Sequence, residues 1–390
     1  MKLLVHSHYF APDIGGVQTI ALALARGLAE LRDQGGAAEF AVTVVTQTGA
    51  GSFDDSTQPF GIVRRPGLRQ LWRFIRETDV VHVAGPALAP LLLGLLARKP
   101  IVLEHHGFQA ICPNGQLFYE PAQTPCPGHF MAGRYGKCLG CNAAEGWVAS
   151  GKLWLLTFVR RVLALRVAAN ITPVQCLVPL LQLPRTQAIS HGLDTSRIFP
   201  ERPAPPGIPV IAYQGRLVTT KGIRVLFEAA RQLKEKSVAF VLHVIGGGSE
   251  RASLESLAGE WKIAPHVRFY GSLPAEALDA ALAEAAVVVV PSLGGEVFGL
   301  VVAENMLRGL PVVASDLGAF VEVMGEAGVT FRTGDAQELA QALARLLENP
   351  ALDGSLGQRA RQRVLDFFGL GRMIDSHANV YRKLYGARIR

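Results

Sequence analysis

The stretch VVVVPSLGGEVFGLVVAENMLRGLPVVASD, Val287 to Asp316, decides the fold. Val287 to Val290 predict a buried strand, Pro291 to Gly295 a loop, Gly299 to Gly309 a helix and Val312 to Ser315 the next strand. Strand, loop, helix and strand in that order form the unit of a parallel doubly wound sheet, whose ligands sit at the carboxyl ends of the strands. Both acidic residues within this unit fall at that end, Glu296 in the loop and Glu304 in the first turns of the helix. Backbone N–H groups at Gly299 and Leu300 are left there to meet an anion. The pair suits a ligand with both hydroxyls and phosphates. The spacing alone would equally fit a solvated helix residue beside a loop charge, so the neighbouring motifs must decide.

The same alternation runs through the chain. Upstream, Leu3 to Val5, Phe40 to Thr46, Val80 to Val83, Ile101 to Glu104 and Asn170 to Thr172 read as short apolar strands, with a helix over Val17 to Leu31. A run rich in proline at 200–209 reads as a linker. After it, strands are expected at Val210 to Gln214, Phe240 to Ile245, Val267 to Tyr270, Val287 to Val290 and Val312 to Ser315. Helices are expected near Gly222 to Lys234, Ser249 to Trp261, Ala275 to Ala285, Ala336 to Glu348, Ser355 to Asp366 and Gly371 to Tyr385. The expected domains are therefore 1–199, with a cysteine-containing insertion at 108–145, and 210–370, facing one another across a hinge. A final helix, 371–390, is expected to return to the first domain.

At 390 residues, 49% hydrophobic and 18% charged, the chain is an ordered protein with two cores rather than one. Its net charge of +7 collects in patches: Arg64, Arg65, Arg69, Arg73 and Arg76; Arg160, Arg161 and Arg166; and Arg382, Lys383, Arg388 and Arg390. Patches of this kind attract nucleic acid, an anionic membrane surface or anionic substrates, or simply form solvated faces. Met1 to Val5 is too short an apolar opening for a secretory signal, so a cytoplasmic location is expected. The apolar run Ala84 to Ala97 falls short of the ~20 residues of a bilayer span and reads as a core helix. Leu153 to Ala169 reads as a helix that packs, or lies at an interface.

Several other motifs carry chemistry. Gln214-Gly215-Arg216 through Lys221-Gly222 follows a strand and opens a helix, placing a guanidinium for bidentate grip and an ammonium where a diphosphate would sit. It is not a nucleotide-binding loop of the Gly-x4-Gly-Lys-Ser/Thr kind. Gly246-Gly247-Gly248 forms a second glycine-rich turn, and Gly15-Gly16-Val17 a third, at the start of the first long helix. His105-His106-Gly107 follows the strand Ile101 to Glu104, so one imidazole should reach the cleft between domains.

Taken together, Gly15-Gly16-Val17, His106-Gly107, Ile189 to Asp194, Gln214 to Arg216 with Lys221-Gly222, Val267 to Gly271 with Leu273-Pro274, and Pro291-Ser292 through Glu296 to Glu304 resemble the retaining nucleotide-sugar glycosyltransferases of family four. The resemblance covers nearly the whole chain. It implies an α/β GT-B fold of two Rossmann-like doubly wound domains, the first binding acceptor and the second a UDP- or GDP-sugar. It implies ribose contacts at Glu304, diphosphate contacts at Arg216 and Lys221, a backbone contact to the base region at Leu273, and donor-sugar contacts at Glu296, Phe298, Gly299 and Leu300. Gly16 would lie against the diphosphate and His106 against the sugar near the reacting carbon, giving a catalytic set of His106, Arg216, Lys221 and Glu296. His106 is preferred to His105 because it directly precedes Gly107. The family often has Asn where this chain has His191.

No Asp-x-Asp chelates a divalent ion, so transfer without metal is expected, with Arg216, Lys221 and helix amides stabilising the departing phosphate. The acceptor implied is a glycan, a lipid-linked sugar or a small molecule, with weak attachment to the inner face of an anionic membrane and no nucleic-acid partner. A nucleotide-sugar epimerase of the same architecture is the competing reading. Cys112, Cys126, Cys138 and Cys141 fall in the insertion, and Cys138-Leu139-Gly140-Cys141 has the spacing of a zinc hairpin. A structural zinc, free thiols and disulfides all remain open for them.

Overall fold

The computed structural model describes every residue except 14, 198, 200–206 and 390, so most of the expected linker lies outside the described residues. The chain forms two compact units: Met1–Gln116, Gly128–Gly192 and Gly369–Arg390 make the first, Leu117–Pro127 and Leu193–Phe368 the second.

In the first unit, β1 (Lys2–Ser7), α1 (Gly16–Glu30), β2 (Ala41–Thr46), β3 (Gly61–Arg64), α2 (Leu68–Glu77), β4 (Val80–Ala84), α3 (Leu88–Leu96) and β5 (Ile101–Glu104) follow one another. β6 (Phe118–Tyr119) and β7 (Thr124–Pro125) pair antiparallel within the segment that groups with the second unit. Then come α4 (Tyr135–Cys141), α5 (Trp147–Ala164), β8 (Ala169–Thr172), α6 (Leu177–Leu181) and β9 (Thr186–Ala188). The sheet order is β3-β2-β1-β4-β5-β8-β9, parallel throughout. Its strand order reverses between β1 and β4, which opens a crevice at their carboxyl ends.

The apolar run Ala84 to Ala97 is not one core helix. It divides into the end of β4, a turn and α3, because Gly85 takes φ 97° and Pro86 follows it. Leu92 and Leu96 of α3 are exposed.

The second unit contains β10 (Val210–Gln214), α7 (Ile223–Glu235), β11 (Val241–Ile245), α8 (Arg251–Glu260), β12 (Val267–Gly271), α9 (Ala275–Ala283), β13 (Ala285–Val290), α10 (Leu300–Leu307), β14 (Val312–Ser315), α11 (Gly318–Met324), β15 (Val329–Phe331), α12 (Ala336–Leu347) and α13 (Pro350–Phe367). Its order, β12-β11-β10-β13-β14-β15, reverses between β10 and β13. Every residue of β13 is buried, as a strand covered on both faces requires. Ile211, Tyr213, Leu226, Phe227, Val287 and Val289 lie in one apolar core with Phe240 and Leu339.

The last helix, α14 (Leu370–Ile389), belongs to the first unit. It approaches α1 so closely that a Cβ at Gly27 would overlap Ile374. The Tyr381 hydroxyl reaches Nδ1 of His82 at 2.9 Å, and Arg382 pairs with Glu39 at 2.6 Å.

Gly222 sets the entry to α7 with φ 66°, and a Cβ there would overlap the Pro291 carbonyl oxygen. Gly222→Ala combines left-handed strain with a backbone collision. It should destabilise the second unit by at least about 2 kcal/mol, read as a lowered urea midpoint in chemical denaturation. An unchanged midpoint would refute this packing account.

Candidate donor site and acceptor pocket

The crevice of the second unit is built from the loops after β10 and β13, the two strands on either side of the reversal. The first loop carries Arg216 and Lys221, the second Glu296. Lys221 Nζ and Glu296 Oε1 meet at 2.5 Å, and the Ser292 hydroxyl donates to the same carboxylate oxygen at 2.8 Å. Both charged groups are partly shielded, so this pair is worth more than an exposed one. Arg216 stands exposed, while its carbonyl accepts a 2.7 Å bond from Tyr213 Oη that fixes the loop.

The glycine turn Gly246–Gly248 has a packing reason. Side chains at Gly246 and Gly248 would collide with the carbonyls of Gly215 and Leu217, so this turn is the surface on which the Arg216 loop rests. Gly299 is likewise forced, with φ 94° and Phe320 where a Cβ would lie. It caps α10, whose first residue is Leu300, and Phe298 beside it is 1% exposed.

Glu304 lies one turn into α10. Burial pushes its pKa above the ordinary 4.5, against the opposing pull of Arg308 and a hydrogen bond from Gln214. Gln214 in turn accepts from Asn305 Nδ2 at 2.9 Å, so the carboxamide is oriented from both sides. Leu273 is half-buried in the turn between β12 and α9. Arg216, Lys221, Leu273, Glu296, Phe298, Gly299, Leu300 and Glu304 therefore all belong to the second unit, whereas Gly16 and His106 belong to the first. Gly16 is the exposed first residue of α1.

The two adjacent histidines part company in the first unit. His105 is buried and its Nε2 lies 2.9 Å from Asn170 Oδ1; burial lowers its pKa to about 4. Asn170 donates its own N–H groups to the carbonyls of Ala164 and Pro184, so His105 must be the donor in that bond. His106 instead lines a pocket of about 740 Å³ at the reversal between β1 and β4. His8, Tyr9, Leu68, Leu88 and Arg160 share that lining.

A feature invisible in the sequence lies directly beneath His106. Glu104, 1% exposed, is ringed by His82, His106, His191 and His377, whose Nε2 atoms lie 3.1, 3.4, 3.6 and 3.7 Å from its carboxylate oxygens. Burial alone would raise the Glu104 pKa, but His106, His191 and His377 hold it well below the ordinary range. The signal available beforehand was a carboxylate closing the otherwise apolar strand Ile101 to Glu104.

In the insertion, Cys112 and Cys138 are buried, and the Asn114 side chain links two thiols, with Cys112 Sγ at 2.9 Å and Cys141 Sγ at 3.6 Å. Cys138 and Cys141 share α4, and Cys126 follows the β6–β7 hairpin.

Residues 194–363 match the family model of the glycosyl transferases group 1, and a full-length relative carries a transferase name. The chain is a glycosyltransferase. That relative, the GDP-mannose-dependent alpha-(1-6)-phosphatidylinositol monomannoside mannosyltransferase of Mycolicibacterium smegmatis, is 28% identical over 397 residues, spanning 93% of this chain and 94% of its own. The phosphatidyl-myo-inositol mannosyltransferase of Mycobacterium leprae is 41% identical over 134 residues, 34% of this chain and 35% of its own. Among solved structures, a sucrose-phosphate synthase from Thermosynechococcus elongatus aligns over 99% of both chains with a TM-score of 0.70 and 21% identity. Anabaena HepE in complex with UDP-glucose aligns over 98% of this chain and 100% of its own, with a TM-score of 0.73 and 17% identity. The fold of this glycosyltransferase is accordingly GT-B, with two Rossmann-like units.

A ligand hydroxyl donating to Glu304 would need its ionised form. Nucleotide affinity should therefore be full above the raised Glu304 pKa and fall as pH drops through it, in a window lying above 4.5. Calorimetric titration with GDP and UDP across pH checks this. Glu304→Gln should flatten the profile, and an unchanged pH dependence in that variant would remove Glu304 from the nucleotide site.

Proposed function

We propose that this glycosyltransferase is a retaining enzyme of family four that moves a hexose from a nucleotide diphosphate, GDP-mannose foremost, to a lipid-borne glycan or inositol acceptor. The observation that carries the proposal is the meeting of Lys221 and Glu296 across the strand reversal, beside exposed Arg216. In the absence of donor the two charges neutralise each other. An incoming diphosphate competes for Lys221 and releases Glu296 to hydroxyls of the sugar. Glu304 takes the ribose, Leu273 the base region through its backbone, and Phe298, Gly299 and Leu300 the sugar through theirs. Gly16 leaves room for the diphosphate, and His106 meets the sugar near the reacting carbon.

Transfer breaks the bond between the anomeric carbon and the β-phosphate oxygen and forms one from that carbon to the acceptor oxygen on the same face. The acceptor proton passes to the leaving phosphate. Arg216 and Lys221 stabilise the charge that builds there, so no added divalent ion is required. The choice of donor and acceptor class draws on the full-length mycobacterial relative. It is supported by the largely apolar lining of the His106 pocket.

A membrane-borne acceptor also suits the surface of the first unit. α3 contacts both α2 and α5; α2 exposes Arg69, Arg73 and Arg76, while Leu96, Trp147 and Val148 are 71%, 70% and 90% exposed. No helix among the described residues is long and apolar enough to cross a membrane.

Incubation with GDP-mannose and UDP-glucose, with and without phosphatidylinositol in anionic vesicles, tests the reading. A glycolipid with retained anomeric configuration is expected, at a rate that falls with salt and does not rise with magnesium or manganese. Conversion of the donor without acceptor would indicate epimerisation, and dependence on added metal would sink the leaving-group account.

The roles separate kinetically. Arg216→Ala or Lys221→Ala should lower kcat by about 10² or more, the scale of one preorganised donor to a developing anion. Glu304→Ala should instead raise KM by roughly 10 to 100-fold, for a charge-assisted hydrogen bond of about 1.5–3 kcal/mol. A normal kcat in the Arg216 variant would contradict its assignment.

We also propose a structural zinc on Cys112, Cys126, Cys138 and Cys141. The i, i+3 placement of Cys138 and Cys141 on α4 and the link of Cys141 to Cys112 through Asn114 support it. Cobalt(II) bound there would show an intense thiolate-to-metal absorption, and its absence would leave these cysteines as thiols or disulfides.

A further inference from the structure

Three members of the polar centre around Glu104, the carboxylate itself with His106 and His191, stand at a spacing that suits the donors of one metal ion. N–H···O bonds cluster near ~2.9 Å, whereas two donors of a tetrahedral ion, each ~2.0–2.1 Å from it, stand about 3.3–3.4 Å apart. His82 alone is near bonding distance, at 3.1 Å. His106, His191 and His377 stand at 3.4, 3.6 and 3.7 Å, and the donor atoms of Glu104, His106 and His191 all lie within 4.8 Å of one another.

The polar atoms at this centre lack partners. His82 Nε2, His106 Nε2, His377 Nε2 and Glu104 Oε1 are all buried polar atoms with no hydrogen-bond partner. A buried carboxylate oxygen and an imidazole nitrogen left in that state are what a cation between them would satisfy.

We propose that Glu104, His106 and His191 bind a divalent transition-metal ion of the zinc type. Two neutral imidazoles and one carboxylate form a donor set suited to zinc with an open fourth position, and one that magnesium or calcium would not prefer. His82, held by Tyr381 from α14, stays outside it. The ion joins the end of β5 and the adjoining His106 turn to the segment before Gly192, two separated stretches of the first unit. Bound through Nε2, His106 keeps Nδ1–H as a donor and is locked neutral. The ion's task is to position that ring.

The test is a cobalt(II) titration of the chelator-stripped full chain. This site should give the visible bands of a four-coordinate ion without thiolate-to-metal absorption, distinguishing it from any cysteine site. Zinc should displace the cobalt and raise the melting temperature, since a ligand that binds only the folded state stabilises it by mass action. His191→Asn should weaken cobalt binding by about tenfold or more while leaving the circular dichroism spectrum unchanged. Absence of the visible bands in the wild-type chain, thiolate-type bands only, or equal uptake by a folded His191→Asn would overturn the proposal. Should that variant fail to fold, the same titration of a chain with Cys138 and Cys141 replaced by Ser decides: visible bands are expected there, and their absence would overturn the proposal.

Discussion

Strands covered on both faces have nowhere along their length to place unpartnered polar groups, and that constraint orders the chain. β13 is buried from end to end, and β10 holds its central residues in the same core. Polar side chains that act on a ligand are therefore pushed to the carboxyl ends of the strands. They converge where the strand order reverses, because two neighbouring loops diverge there to opposite sides of the sheet. The Lys221–Glu296 pair is a consequence of this topology. Its members come from strands distant in sequence and adjacent in the sheet.

The glycines of the second unit serve the same arrangement. Gly222, Gly246 and Gly248 are needed less for a ligand than for the close passage of one loop's backbone over another's. With them the Arg216 loop rests on the Gly246–Gly248 turn and the Lys221 loop lies against Pro291. A stiff support of this kind lets cations on a loop be preorganised for a developing anion.

The first unit solves a different problem. It buries a carboxylate at the end of β5 and surrounds it with imidazoles drawn from β4, the His106 turn, the segment around His191 and α14. An ionised group so placed survives only if its neighbours compensate its charge. That requirement makes the last helix part of the first unit's polar interior as well as of its packing. Tyr381 and His377, one turn apart on α14, are both turned inward to serve it.

The sequence by itself determined the alternation of strands and helices, the parallel sheets and the placing of Arg216, Lys221 and Glu296 in the loops after two strands, because buried strands and glycine-rich turns leave local signatures. The edge strands β3, β9 and β15 were not legible: they are short and only partly buried. The break in Ala84 to Ala97 was missed because apolar character outweighed Gly85-Pro86 in the reading. Only tertiary structure could separate His105, turned to Asn170, from His106, turned to the pocket. Adjacent residues leaving a strand differ in facing, and the sheet around them decides which one is covered. Only tertiary structure could likewise gather Glu104 with His82, His191 and His377, since long-range pairing of polar groups has no period in a single chain for a sequence to display.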